Sequence, residues 1–463
     1  MKSRPNILFL QTDQLRADAL GFTSHGAVKT PHIDLLASRS IAFENCFVQS
    51  PVCMPSRASM FSGCYPSSLR LPHMGVPLPE DLPLLSHLLS GSGYRCSHVG
   101  KLHFLPHANR NHSEPHPAYG YHQLQVSDEP GPYEDAYRAW VRVRYPEALD
   151  SISLGLPPKA EAWRAIMGIR EAVTYFPARQ QKGASAFPGP EECTHSAFVG
   201  QTTVEFLESR PQEPFFHTAG FFSPHSPMVA PRRFLDLYPP ERISLPEYPA
   251  GWEVPENSPY RDQALVRSLI QGYYAMISEI DEKIGEILAA LSKAGLAERT
   301  VIVFCSDHGE WLGQRGKFGK GYPADDAVSR IPLLLSFPQQ QVSPARIDHV
   351  VEAVDLVPTL LEAAAVQPPP WLQGQSLFPL MRGGERESRD ALTEGRGWKA
   401  LRTPDYRYLY HEDGREMLFH SSQDPQDLRD LAPSSPGLLA EMRARLLKKL
   451  VSIERPLPRT WTY

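Results

Sequence analysis

The sequence predicts an α/β protein with a large, mostly parallel sheet and a smaller C-terminal α+β subdomain. Short apolar runs (Asn6–Leu10, Pro214–Phe222, Thr300–Cys305) end abruptly in polar residues, as strands buried on both faces do. Helical patterns separate them. The longest spans Asp262 to Leu291, with Leu265, Leu269, Tyr273, Met276, Ile280, Ile284 and Leu288 recurring every three or four residues. Beyond about Gly374 the texture changes to short alternating strands at Trp398–Arg402, Tyr406–Tyr410 and Met417–Phe419. Asp413-Gly414 is a hairpin turn between them, and an amphipathic helix from Ser434 to Leu450 closes the chain. We therefore expect a main domain at 1–373, with an insertion at about 105–190, and a subdomain at 374–463.

The 463 residues, 41% hydrophobic and 21% charged, are enough for a sizeable core. A net charge of −5 gives no basic field for nucleic acid or an acidic membrane. The 46 prolines are about twice the usual share of ~5%, which implies many fixed loops. Ile7 to Leu10 is too short for a signal-peptide core, and no stretch approaches the roughly 20 apolar residues of a membrane span. We expect a cytoplasmic protein with no membrane partner. The six cysteines (Cys46, Cys53, Cys64, Cys96, Cys193, Cys305) lack paired spacing, which argues against a disulfide framework or a zinc ribbon.

Along the chain, the first apolar strand delivers Gln11-Thr12-Asp13-Gln14 at its carboxyl end, where open α/β sheets place ligands. Taken alone, Asp13 could equally cap the next helix. Thr30 to Leu36 starts a helix, Ala42 to Val48 is a strand, and Leu82 to Ser90 is an amphipathic helix. Tyr94 to Val99 is a strand running into Gly100-Lys101-Leu102-His103, whose alternation puts Lys101 and His103 on one side of an extended segment. In the His- and Pro-rich stretch 107–122, His112 and His116 have helical metal-pair spacing. Pro115 and Pro117 argue against a helix there, and a loop near the site mouth is the preferred reading over a structural zinc. A helical piece is expected near Ala160 to Val173, then a helix at Ala197–Ser209. His225, between Pro224 and Pro227, is held on a rigid loop, and Ser306-Asp307-His308-Gly309-Glu310 ends the strand at 300–305.

The stretch Ser50 to Pro66, SPVCMPSRASMFSGCYP, is the most informative. Pro55 suits a first helical turn, Arg57 to Ser62 can continue it, and Gly63 can end it. Cys53 then sits at a helix N-terminus, where backbone N–H groups favour an anion. A lone cysteine is more often a small buried hydrophobe. This one, however, heads Cys-x-Pro-Ser-Arg, and the chain resembles the formylglycine-dependent (type I) sulfatases of the alkaline phosphatase superfamily. The resemblance runs from Asn6 to the C-terminal helix. It includes the Asp13-Gln14 pair, Gly100-Lys101-x-His103, Pro224-His225-x-Pro227, Ser306-Asp-His-Gly309 and the Leu312-Gly313 stretch that ends at Lys320, with Lys317 as fallback.

That resemblance implies an alkaline-phosphatase-like α/β/α sandwich and hydrolysis of a sulfate monoester (aryl, choline or sugar sulfate). The nucleophile would be a metal-bound formylglycine hydrate made from Cys53 by a formylglycine-generating enzyme. The implied metal ligands are Asp13, Gln14, Asp307, His308 and the modified Cys53, with calcium the expected ion and magnesium or manganese the alternatives. Arg57 would hold the hydrate, and Asp307 or Asp13 would take its proton. Lys101, Lys320 and His225 would bind sulfate, with His225 or Lys320 protonating the leaving alcohol and His103 acting as the base that releases sulfate. The rival reading is a phosphonate monoester or phosphodiester hydrolase of the same superfamily. Those relatives replace Lys-x-His by uncharged hydroxyl residues and carry an asparagine where this chain has Met74. A non-catalytic binding protein on this fold is the third reading, and self-association into a homo-oligomer stays open.

Overall fold

The first strand, Asn6–Thr12, is buried along its whole length, and its alternation sorts the core into two layers. Leu8 and Leu10 join one apolar layer, Ile7 and Phe9 the other. The computed structural model describes residues 4–24, 26–106, 114–154, 182–248, 251–338, 342–384 and 389–454.

In chain order the main sheet contains β1 (Asn6–Thr12), β2 (Ile41–Phe47), β3 (Arg95–Gly100), β4 (Gln123–Val126), β5 (Phe215–Gly220), β6 (Thr300–Ser306), β7 (Arg330–Ser336) and β8 (Ala345–Glu352). Its spatial order is β8-β2-β7-β6-β1-β5-β3-β4. Every pairing is parallel except those of β7, which runs antiparallel to both β2 and β6. The mixed, mostly parallel sheet is thus the one expected.

Helices cover both faces. α1 (Pro31–Ala37), α4 (His195–Glu208) and α5 (Gln263–Lys293) pack on the Leu8/Leu10 layer. α2 (Cys53–Ser62), α3 (Leu85–Ser90) and α6 (Leu356–Ala363) pack on the opposite layer. The result is an α/β/α sandwich. α5 follows its predicted stripe and is capped by Asp262, whose carboxylate accepts the N–H groups of Ala264 and Leu265. α3 begins three residues later than expected because Pro83 disfavours helical backbone at Leu82.

The C-terminal region forms a separate antiparallel meander of β9 (Ala391–Gly395), β10 (Trp398–Arg402), β11 (Tyr406–His411) and β12 (Glu416–His420). β9 was not apparent in the sequence. α7 (Pro436–Ser452) lays Met442 and Leu446 against Leu401, Tyr408 and Leu418 of this sheet. Buried Glu352 fastens the meander to the main body: it ion-pairs with Arg389 at 2.9 Å and Lys449 at 2.7 Å, and accepts the Leu392 N–H at 2.9 Å. The helical piece expected near Ala160 to Val173, His112 and the aromatic tail from Trp461 lie outside the described residues. His116 turns its Nδ1 to the Pro117 carbonyl oxygen at 2.8 Å and packs on Tyr119.

Candidate active site

Strand register builds the site. Thr12 of β1 is level with Ser306 of β6, and Gly220 of β5 is level with Gln11 of β1 and Gly100 of β3. The residues that follow, Asp13, Asp307 and Lys101, therefore emerge together at the carboxyl edge of the sheet. A Cβ at Gly220 would lie 2.2 Å from the Lys101 carbonyl oxygen, so only glycine permits this approach. α2 then points its first residue, Cys53, at the same place. Val52 is its extended N-cap, and Gly63 ends it at φ 70°.

The geometry is dense and buried. One ligand atom from each of Asp13, Cys53, Asp307 and His308 falls within 4.8 Å of the others. Cys53 Sγ lies 3.2 Å from His308 Nε2 and 3.7 Å from Asp13 Oδ1. Arg57, one turn along α2, donates through Nε to Asp307 Oδ2 at 2.7 Å and through Nη1 to Gln11 Oε1 and the Lys101 carbonyl. Its Nη2 stands 3.5 Å from Asp13 Oδ2, and Lys101 Nζ pairs with that same oxygen at 2.8 Å. Lys320 Nζ reaches Cys53 Sγ at 2.7 Å and His308 Nε2 at 3.2 Å. Lys317 instead lies over the Trp311 ring, 4.9 Å from its centroid.

Electrostatics follow from this packing. Burial pushes the Asp13 carboxyl up, but Lys101, His225, Lys320 and Arg57 outweigh it and hold the group well below the usual carboxylate range. Burial, helped by the Asp13 charge, pushes the Cys53 thiol up to about 11 despite Lys320 and Lys101. Burial also takes the His308 imidazole down to about 4, against the pull of Asp307. Its Nδ1–H donates to the Gly309 carbonyl at 2.8 Å, which leaves the Nε2 lone pair for a ligand.

The donor set fits a hard divalent cation: two carboxylates, an imidazole lone pair, and Gln14 Oε1, which is buried with no hydrogen-bond partner among the described residues. Gln14 adopts φ 70° and donates its backbone N–H to Asp307 Oδ1 at 3.0 Å. His225 is half-buried on its loop, with its ring 4.9 Å from Phe222, which also lies under Lys101 Nζ at 4.7 Å.

One sequence expectation needs correcting. Lys101 and His103 are not displayed by strand alternation, because β3 stops at Gly100 and buried His103 takes φ 55°. The cause is Asp128, whose Oδ1 accepts the N–H groups of Leu102 at 2.9 Å and His103 at 2.8 Å and so curls the segment. Sequence reasoning missed Asp128 and gave no role to Glu310, which accepts the Gln14 side-chain amide. A signal existed for both: like Asp13 and Asp307, each is an acid within four residues of a strand's carboxyl end.

Comparison with known proteins finds relatives along most of the chain. The family profile described as Sulfatase matches residues 5–366, and one described as N-sulphoglucosamine sulphohydrolase, C-terminal, matches residues 313–455. An arylsulfatase of Clostridium perfringens is 28% identical, the alignment covering 93% of this chain and 91% of the relative. A choline-sulfatase of Rhizobium meliloti is 28% identical, with 94% and 83% covered. Among solved structures, a phosphonate monoester hydrolase of Agrobacterium radiobacter shares the fold with a TM-score of 0.80 at 23% identity, over 97% of this chain and 96% of that one. Fold and matches together define a sulfuric ester hydrolase. The chain belongs to the sulfatase family.

Proposed function

We propose that this sulfatase cleaves a sulfate monoester (an aryl, choline or sugar sulfate) with formylglycine made from Cys53 and one divalent ion, calcium first among the candidates. The observation that carries the reading is the buried convergence of Cys53 with Asp13, Asp307 and His308, closed over by Lys320. Asp13, Gln14, Asp307 and His308 would hold the ion beside the modified residue 53. Together, when in place, ion and hydrated aldehyde supply Lewis acidity and a hydroxyl nucleophile.

The remaining work falls to this chain's own side chains. Lys101, Lys320 and His225 neutralise the sulfate oxygens, whose charge grows as the ester bond breaks. Arg57 orients Asp307 and Asp13, either of which takes the nucleophile's proton. His225 or Lys320 returns a proton to the departing alcohol, and His103 accepts the proton whose loss frees sulfate. Cys53 is only 1% exposed and Arg57 fully buried, so the maturation enzyme must read this segment before the chain folds.

Two measurements test the proposal. The intact mass of the peptide spanning Cys53, from native material, should show loss of the thiol to an aldehyde; an unmodified thiol there would sink the mechanism. Parallel kinetics on an aryl sulfate and an aryl phosphonate should favour the sulfate. A phosphonate preference would move the assignment to a phosphonate monoester or phosphodiester hydrolase, and turnover of neither by matured protein would leave a binding protein.

A further inference from the structure

Glu310 is fully buried, three residues beyond Asp307, and its two oxygens have different partners. Oε2 accepts the side-chain amide Nε2–H of Gln14. Oε1 accepts the backbone N–H groups of Gly319 and, at 3.1 Å, of Leu312. With both Glu310 oxygens accepting, the Gln14 amide turns its NH2 to Glu310, and its Oε1 is left buried with no hydrogen-bond partner among the described residues. Such an orphaned oxygen is costly unless another group meets it, and a cation held by the neighbouring Asp13 and Asp307 would do so.

The second oxygen works on the loop 311–320. Leu312 at φ 49° and Arg315 at φ 56° are side-chain-bearing residues in the left-handed region, and Gly313, Gly316 and Gly319 also have positive φ. A backbone of this kind persists only where its surroundings hold it. Glu310 holds it at both ends, through Leu312 and Gly319. The residue after Gly319 is Lys320, whose ammonium reaches Cys53.

We propose that Glu310 is a positioning residue that sets two parts of the site at once, turning the Gln14 amide oxygen toward the metal and anchoring the loop that carries Lys320. The proposal rests on the reading that Gln14 is a ligand and Lys320 a sulfate contact. Glu310 touches neither ion nor substrate and acts through both residues.

Glu310→Gln separates the two tasks. Its carbonyl oxygen can still accept from Leu312 and Gly319, but its NH2 now meets Gln14, whose amide must flip and present NH2 to the ion. Calcium affinity, measured by titration calorimetry on metal-stripped full-length protein, should fall about 10–100-fold. KM for an aryl sulfate at saturating calcium should stay near the parent value. The reciprocal double variant, Gln14→Glu with Glu310→Gln, again offers an oxygen to the ion, and calcium affinity should recover. Glu310→Ala loses both anchors, so KM should also rise, by about tenfold for one charge-assisted contact. Should Glu310→Ala fail to fold, the other two variants still decide. Unchanged calcium affinity in Glu310→Gln, or a reciprocal pair that binds no better than the single variant, overturns the proposal. A parent protein that binds no divalent ion defeats the metal reading itself, a separate result visible before any variant is made.

Discussion

Lys320 Nζ lies 2.7 Å from Cys53 Sγ, although the two residues are 267 positions apart in the chain. The contact sets a cation directly over the first residue of α2, where the reacting group is expected. Lys320→Ala should lower kcat/KM on an aryl sulfate by about 10²–10³, the usual cost of removing one preorganised charge stabiliser. Because Lys320 is only half-buried, its removal should barely move Tm. Lys317→Ala, which loses a contact with Trp311 away from Cys53, should leave kcat/KM near the parent value.

Metal removal should destabilise as well as inactivate. Asp13 and Asp307 are both fully buried beside His308, and a bound cation stabilises the folded state by mass action. Treatment with a chelator should lower Tm and abolish turnover, and calcium should restore both. Comparing calcium, magnesium and manganese in the same thermal scan identifies the preferred ion; a Tm indifferent to all three would count against the site.

Asp128 offers a test of loop shape without touching the metal. Asp128→Ala strands the N–H groups of Leu102 and His103, at a cost of about 1–3 kcal/mol if they stay buried. Tm should fall, and turnover with it as Lys101 and His103 drift. Asp128→Asn keeps an acceptor oxygen and should recover most of both losses.

Glu279, buried on α5, predicts a pH dependence of stability. Burial raises its carboxyl from an ordinary 4.5 to about 7, although the Thr194 hydroxyl donates to it. A group whose folded pKa is raised contributes fully below its unfolded value and loses that contribution as pH climbs through the folded one. Stability should therefore decline between about pH 4.5 and 7, by ~3 kcal/mol from this group. Glu279→Gln should flatten that decline, read as urea midpoints at pH 5 and pH 8. Equal slopes in parent and variant would contradict it.

The sequence by itself determined the strand ends and the polar residues that follow them. Asp13, Asp307 and His308 follow apolar runs whose burial was legible from composition alone, and Pro55 and Gly63 bounded α2 to within two residues. Local patterns suffice there, because a run buried on both faces has no polar alternative. Only the tertiary structure decided how those ends meet. Parallel register between β1 and β6 sets Asp13 beside Asp307, and the curl at His103 depends on an acid two residues past the end of β4, a strand within the 105–190 stretch that pairs with β3. The approach of Lys320 to Cys53, and the double grip of Glu310 on Gln14 and Gly319, likewise follow from contacts between distant segments. Pattern reading scores each residue against its neighbours in the chain, whereas a buried carboxylate chooses partners by proximity in space.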